Sequence, residues 1–214
     1  MASEHKQEYE LLTTVNDNKE NQLGKKDLCG LTALMRAAKT GDVTSVKSLI
    51  KTRELGMIDR VNRTALMYAA RLGKSECVKI LAKTKELGEK DMYGETALML
   101  AAQQDKRDCV AILARTKEIT MKNDYGVTAL MKAAGNGYKH CTAILMKTPE
   151  LNMEDNDGWA AIIWAIELRD VDCVKLLANT KEIHVKDKKG KTTFQHALDT
   201  KSKEIIKIIL KYST

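Results

Sequence analysis

The sequence predicts an all-α solenoid of stacked helix-turn-helix units that carry β-turn fingers, and three observations predict it. First, the segments DLCGLTALMRAA, DRVNRTALMYAA, DMYGETALMLAA, NDYGVTALMKAA, DNDGWAAIIWAI and DKKGKTTFQHAL align without gaps. They start at Asp27, Asp59, Asp91, Asn123, Asp155 and Asp187, a constant step of 32 residues. A fixed period of this size marks a repeat architecture in which each unit buries its apolar face against the next. Second, aromatics make up only 4% of the 214 residues and there is a single proline, while alanines come in pairs. That composition suits thin helical layers in close contact. Third, apolar residues recur three or four apart in the second half of each unit, the spacing of an amphipathic helix.

Each unit reads in order. The opening Asp-x-x-Gly is a β-turn signature, Asp bonding its own backbone and Gly supplying a positive φ. Asn62 replaces that Gly in the second repeat, and Asn is the next-best residue for the left-handed region. Thr32, Thr64, Thr96, Thr128 and Thr192 are placed as helix N-caps. The Ala-Leu-Met-x-Ala-Ala run forms a short first helix, and Ala37-Ala38, Ala69-Ala70, Ala101-Ala102 and Ala133-Ala134 allow close helix approach. Gly41, Gly73 or Gly137 breaks the chain before the second helix, with Val46/Leu49/Ile50, Val78/Leu81, Val110/Leu113, Val174/Leu177 and Ile206/Ile209/Leu210 facing inward. A Thr-x-Glu-Leu/Ile connector follows from Thr52, Thr84, Thr116, Thr148 and Thr180. Residues 1–26 are read as an N-terminal helical cap or partial repeat, since Leu23-Gly24 echoes Leu55-Gly56 and Leu87-Gly88. Residues 27–214 form six repeats, the last acting as a cap.

These motifs resemble the ankyrin repeat, a unit of about 33 residues with a Thr-Pro-Leu-His-x-Ala signature. The resemblance covers roughly residues 23–214 and recurs in every unit. The Thr-Ala-Leu-Met-x-Ala-Ala form is similar to ankyrin-only proteins expanded in some protists. The motif Pro is Ala33, Ala65, Ala97 and Ala129 here, and the motif His is Met35, Met67, Met99 and Met131. The resemblance implies that an inter-repeat hydrogen bond of that His gives way to methionine packing. The glycine that usually ends the second helix is absent. The resemblance further implies a concave binding surface formed by the fingers and the exposed side of the first helix. Carried over by position, that surface includes Arg60, Arg63 and Arg71 of repeat two, Tyr93 of repeat three, Tyr125 of repeat four and Trp159 of repeat five.

Tyr93, Tyr125 and Trp159 place three of the nine aromatics on adjacent fingers, and such rings are enriched at binding hot spots. Against this, the rings could pack on the neighbouring finger. Arg60, Arg63 and Arg71 could pair with carboxylates or phosphates, or simply form a solvated surface. Trp164, in the first helix of repeat five, is read as packing against Ile163 and Ile166.

The net charge of +7 with a pI near 9.0 mildly favours acidic partners without indicating nucleic acid. Apolar runs are too short to span a bilayer, and residues 1–20 lack a signal-peptide core. The five cysteines include no CxxC pair, so the expected compartment is the reducing cytoplasm, or the nucleus. Cys77, Cys109, Cys141 and Cys173 share one apolar position of the second helix. Stacked helices lie about 8–10 Å apart and a disulfide needs Cα atoms within about 7 Å, so these read as buried thiols and Cys29 as the reactive one. Asp155, Asp157 and Gly158 glance at a calcium loop, but Met153 and Trp164 would fill its end positions. No catalytic, metal or cofactor constellation emerges. The expected function is therefore a non-catalytic protein–protein interaction module, an adaptor, scaffold or inhibitor. Its expected partner is another protein, which an acidic segment would suit, with no small-molecule substrate. The alternative is nucleic acid or an anionic surface held by the basic finger residues. Ile205, Ile206, Ile208, Ile209 and Leu210 make the last helix a cap or a self-association edge, and its interleaved lysines favour a monomer.

Overall fold

The computed structural model describes residues 23–213; all but the last four residues of the segment read as an N-terminal cap lie outside these. Among the described residues twelve α-helices follow in antiparallel pairs: α1 Ala33–Thr40 and α2 Val43–Leu49; α3 Ala65–Arg71 and α4 Ser75–Leu81; α5 Ala97–Ala102 and α6 Arg107–Leu113; α7 Ala129–Ala134 and α8 Lys139–Leu145; α9 Ala161–Leu168 and α10 Val171–Ala178; α11 Thr193–Asp199 and α12 Lys203–Tyr212. First helices pack on first helices and second on second, making two layers. Between the last two pairs a 3₁₀ turn spans Lys181–His184, and among the described residues the only β-bridge joins Lys186 to Thr192.

The first helices begin where the threonines place them. Thr32, Thr64, Thr96 and Thr128 each accept the backbone N–H of the methionine three residues on, and Thr192 accepts that of Gln195. In repeat five Ala160 stands at the cap and offers no such bond. The paired alanines are buried at the layer contact, and Met35, Met67, Met99 and Met131 are at most 1% exposed. Methionine side chains thus fill the interior beside each cap, as the resemblance implied. Second helices end without a glycine because a threonine hydroxyl takes over: Thr52, Thr84, Thr116, Thr148 and Thr180 donate to the carbonyl three residues back at 2.6–2.7 Å. Those carbonyls would otherwise lack partners.

The connector glutamates tie the stack together. Glu54, Glu86, Glu118, Glu150 and Glu182 are all at most 1% exposed. One carboxylate oxygen of each accepts the second N–H of the first helix in its own repeat: Leu34 at 2.7 Å, Leu66 at 2.8 Å, Leu98 at 2.7 Å, Leu130 at 2.6 Å and Ile162 at 2.9 Å. In four of the five, the other oxygen reaches back to the preceding repeat, accepting from Gly24, Gly56, Gly88 or Asn152 at 2.8–3.0 Å. In repeats one to four the threonine and the glutamate therefore satisfy consecutive unpaired donors at the helix start, and in all five the negative charge sits at the positive end of the helix dipole. Each bond to the preceding connector also fixes one repeat on the next. Burial pushes the carboxyls of Glu86, Glu118 and Glu182 above the usual range, opposed by the backbone N–H bonds.

The fourth joint differs. Its connector turn carries Thr120, at φ 73°, where the others have glycine or asparagine. A β-branched residue in the left-handed region is strained by about 1–2 kcal/mol. Glu150 keeps its bond to Leu130, but its Oε1 is buried with no hydrogen-bond partner. Replacing Thr120→Gly is expected to raise stability by about 1 kcal/mol, the strain relieved less the extra chain entropy of glycine; a urea-unfolding series with wild type checks it.

Burial, weakly opposed by the remaining N–H groups, pushes Glu150 up to about 7. A folded value above the ordinary one means the native state holds more protons than the unfolded chain between roughly pH 4.5 and 7. This carboxylate's burial penalty is therefore full above pH 7 and relieved as pH falls, by up to about 3 kcal/mol. Stability should rise between pH 8 and pH 5, and Glu150→Gln should flatten that rise in melting curves run across the range.

Candidate functional site

The fingers are built on their first residue. Oδ1 of Asp27, Asp59, Asp91, Asn123, Asp155 and Asp187 accepts the backbone N–H groups two and four residues ahead at 2.8–3.0 Å. This double acceptance closes each turn. Neighbouring fingers then nest. Met92 N–H donates to the Val61 carbonyl, Asn156 to Tyr125 and Lys188 to Asp157, each at 3.0 Å. A Cβ at Gly94 would lie 2.8 Å from the Asp124 nitrogen, and one at Gly126 2.7 Å from the Asn156 nitrogen. Both glycines also have positive φ, so position and conformation alike demand glycine there.

The other oxygen, Oδ2, draws on the residue nine positions later, which lies on the first helix. Arg36 bonds Asp27 at 3.3 Å, the Tyr68 hydroxyl donates to Asp59 at 2.5 Å, Trp164 Nε1 donates to Asp155 at 3.0 Å, and His196 Nε2 lies 3.2 Å from Asp187. Repeat three breaks the rule because Leu100 has no donor; Arg63 of the preceding finger pairs with Asp91 instead, at 3.3 Å. In repeat four Asn123 carries no charge, and Lys132 turns to Glu95 of the neighbouring finger. Burial and the Asp59 carboxylate push the Tyr68 hydroxyl up to about 12, so it stays a donor.

These contacts sort the expected binding residues. Tyr93 is 48% exposed and Tyr125 67% exposed, on adjacent fingers. Arg60 is exposed beside them on the second finger. Arg63 is half-buried and held by Asp91, and Arg71 is half-buried at the end of α3. Trp159 is also half-buried: its ring meets Trp164 edge-on at 5.8 Å and His196 at 5.3 Å. His196 itself is buried between Glu167, at 2.8 Å, and Asp187. The aromatic row therefore divides into two outward tyrosines and one tryptophan packed toward the last repeat. Two further residues at finger positions join the exposed set: Leu28, 92% exposed, and Met92, 51% exposed.

Cys77, Cys109, Cys141 and Cys173 are free and buried, while Cys29 is free and exposed on the first finger. Burial raises the thiols of Cys109 to about 11 and of Cys141 and Cys173 to about 12, which keeps them protonated and unreactive. Among the described residues no helix is long and apolar enough to cross a membrane.

Comparison with known proteins places this geometry. The family description "Ankyrin repeats (3 copies)" matches residues 1–91, 83–155 and 136–214. Among solved structures, an ankyrin repeat domain from Acinetobacter baumannii superposes with a TM-score of 0.73 at 26% identity, covering 84% of this chain and 97% of that one. The ankyrin repeat protein EF0377 gives 0.74 at 25% identity, covering 84% and 97%. A chain from the Bdellovibrio bacteriovorus complex of the Bd0816 predatory endopeptidase with immunity protein Bd3460 gives 0.68 at 29% identity, covering 87% and 99%. No curated protein matches the sequence.

Proposed function

Because this chain belongs to the ankyrin-repeat family, whose repeats are generally protein–protein interaction modules, we propose that it is a non-catalytic module that holds a protein partner against its fingers. The observation that carries this reading is the row Leu28, Met92, Tyr93 and Tyr125. Large apolar side chains stand out from fingers that are otherwise fixed by hydrogen bonds within and between the turns. Exposed apolar groups clustered on one surface mark an interaction site, and a preformed surface loses little entropy on binding. Arg60 borders the row and would meet an acidic group of the partner. Arg63 and Trp159 support the fingers from within rather than gripping directly. A similar chain occurs in a complex between an endopeptidase and an immunity protein, which fits a role as binder or inhibitor. Affinity capture from native extract tests the proposal. A discrete protein should be retained in moderate salt by wild type and lost with Tyr93→Ala/Tyr125→Ala. Equal recovery by the two would remove the finger row from the account, and retention of nucleic acid alone would favour the basic finger residues as the site.

A further inference from the structure

The connectors carry a row of exposed cations, apart from the finger tips. Three connectors place cations on both sides of the threonine, Lys51 and Arg53, Lys83 and Lys85, Arg115 and Lys117, and two place one beside it, Lys147 and Lys181. All eight are exposed. The five glutamates of the same connectors are buried, so the exposed charge of each connector is positive. Among the described residues none of the eight makes an ion pair, because the connector carboxylates are turned inward as helix staples. Four cations of the second helices are paired: Lys79 with Glu76, Arg107 with Asp105, Lys139 with Asp172 and Lys175 with Glu204. The row is also ordered. The side chains of Arg53, Lys85 and Lys117 lie across Gly24, Gly56 and Gly88 of the preceding connectors, so they are held one repeat apart, about 10 Å.

We propose that this connector edge adsorbs the chain onto an anionic lipid bilayer. Six of the eight cations are lysines, which are depleted in protein–protein interfaces. No aromatic residue occurs in the connectors between the second helices and the following glycine or asparagine, so there is no platform for stacking bases. A regular row of charges suits a surface of diffuse negative charge, which needs no directional bonding. A helix-dipole role would be met by one cation at each helix end, and Arg53, Lys85, Lys117 and Lys181 lie past the threonine, beyond the helix. The row uses different residues from the fingers, so a bilayer and a protein partner engage separate parts of each repeat.

Vesicle co-sedimentation of the full chain tests this. Phosphatidylcholine vesicles with about 30 mol% phosphatidylserine should bind the chain, and pure phosphatidylcholine should not. Raising salt from about 0.1 M to about 0.5 M should weaken binding at least about 10-fold. Reversal of Lys83→Glu, Lys85→Glu, Arg115→Glu and Lys117→Glu should weaken it at least about 100-fold. The same charge change at Lys39, Lys188, Lys189 and Lys203 should have a much smaller effect. Circular dichroism checks folding, and a glutamine set at the same four connector positions, expected to give an intermediate loss, serves if the reversed variant unfolds. Absence of binding to anionic vesicles at low salt, equal loss in both reversed sets, or tighter binding of duplex DNA through the same residues would each overturn the proposal.

Discussion

Replacing Glu118→Ala is expected to lower the unfolding free energy by about 2–4 kcal/mol. The mutation removes both acceptors for the N–H groups of Gly88 and Leu98. A buried donor left without a partner costs about 1–3 kcal/mol, and the Leu98 end is fully enclosed. The loss falls on a joint between repeats, and the stability of a repeat array depends on such nearest-neighbour contacts. Glu118→Gln keeps one oxygen and should cost roughly half as much. Urea unfolding of the three proteins at one pH reads the result directly. A change below about 0.5 kcal/mol for the alanine variant would mean that water replaces the carboxylate and that the glutamate is not a staple.

The second large effect concerns binding. Tyr93→Ala/Tyr125→Ala should weaken the captured partner about 1000-fold, since central aromatic residues of an interface each contribute on the order of 2 kcal/mol. Stability should hardly change, because both rings are outward and neither is among the residues that pack onto the core. Calorimetric titration of wild type and variant with the purified partner, alongside melting curves, separates the two readouts. Trp159→Ala should behave oppositely. Its ring packs on Trp164 and His196, so the melting temperature should fall while affinity changes less.

Much of the fold was legible because a repeat states the same information six times. The step of 32 residues fixed the phase, the threonine caps followed from their place before an alanine-leucine run, and the shared column of cysteines could only be interior. Methionine in place of the family histidine also packs as the sequence implied. What stayed hidden depends on reach between repeats rather than on pattern within one. Glu118 reads as an ordinary connector residue until its carboxylate is seen to bridge residues 20 and 30 positions back. Arg63 looks like a free finger cation, yet Leu100 leaves Asp91 without its own donor and Arg63 takes that place. Trp159 occupies the position of an outward ring, but the last repeat presents His196 as a surface to pack on, which a periodic reading does not reveal. Thr120 gives a signal that could have been read: its positive-φ counterparts, Gly24, Gly56, Gly88 and Asn152, are glycine or asparagine.

Hydrogen–deuterium exchange on the chain, free and bound to its captured partner, tests the central claim most directly. The account predicts added protection at the finger amides around residues 92–95 and 124–127, with the second helices unchanged. Protection confined to α4, α6 and α8, with the fingers exchanging as in the free chain, would contradict it.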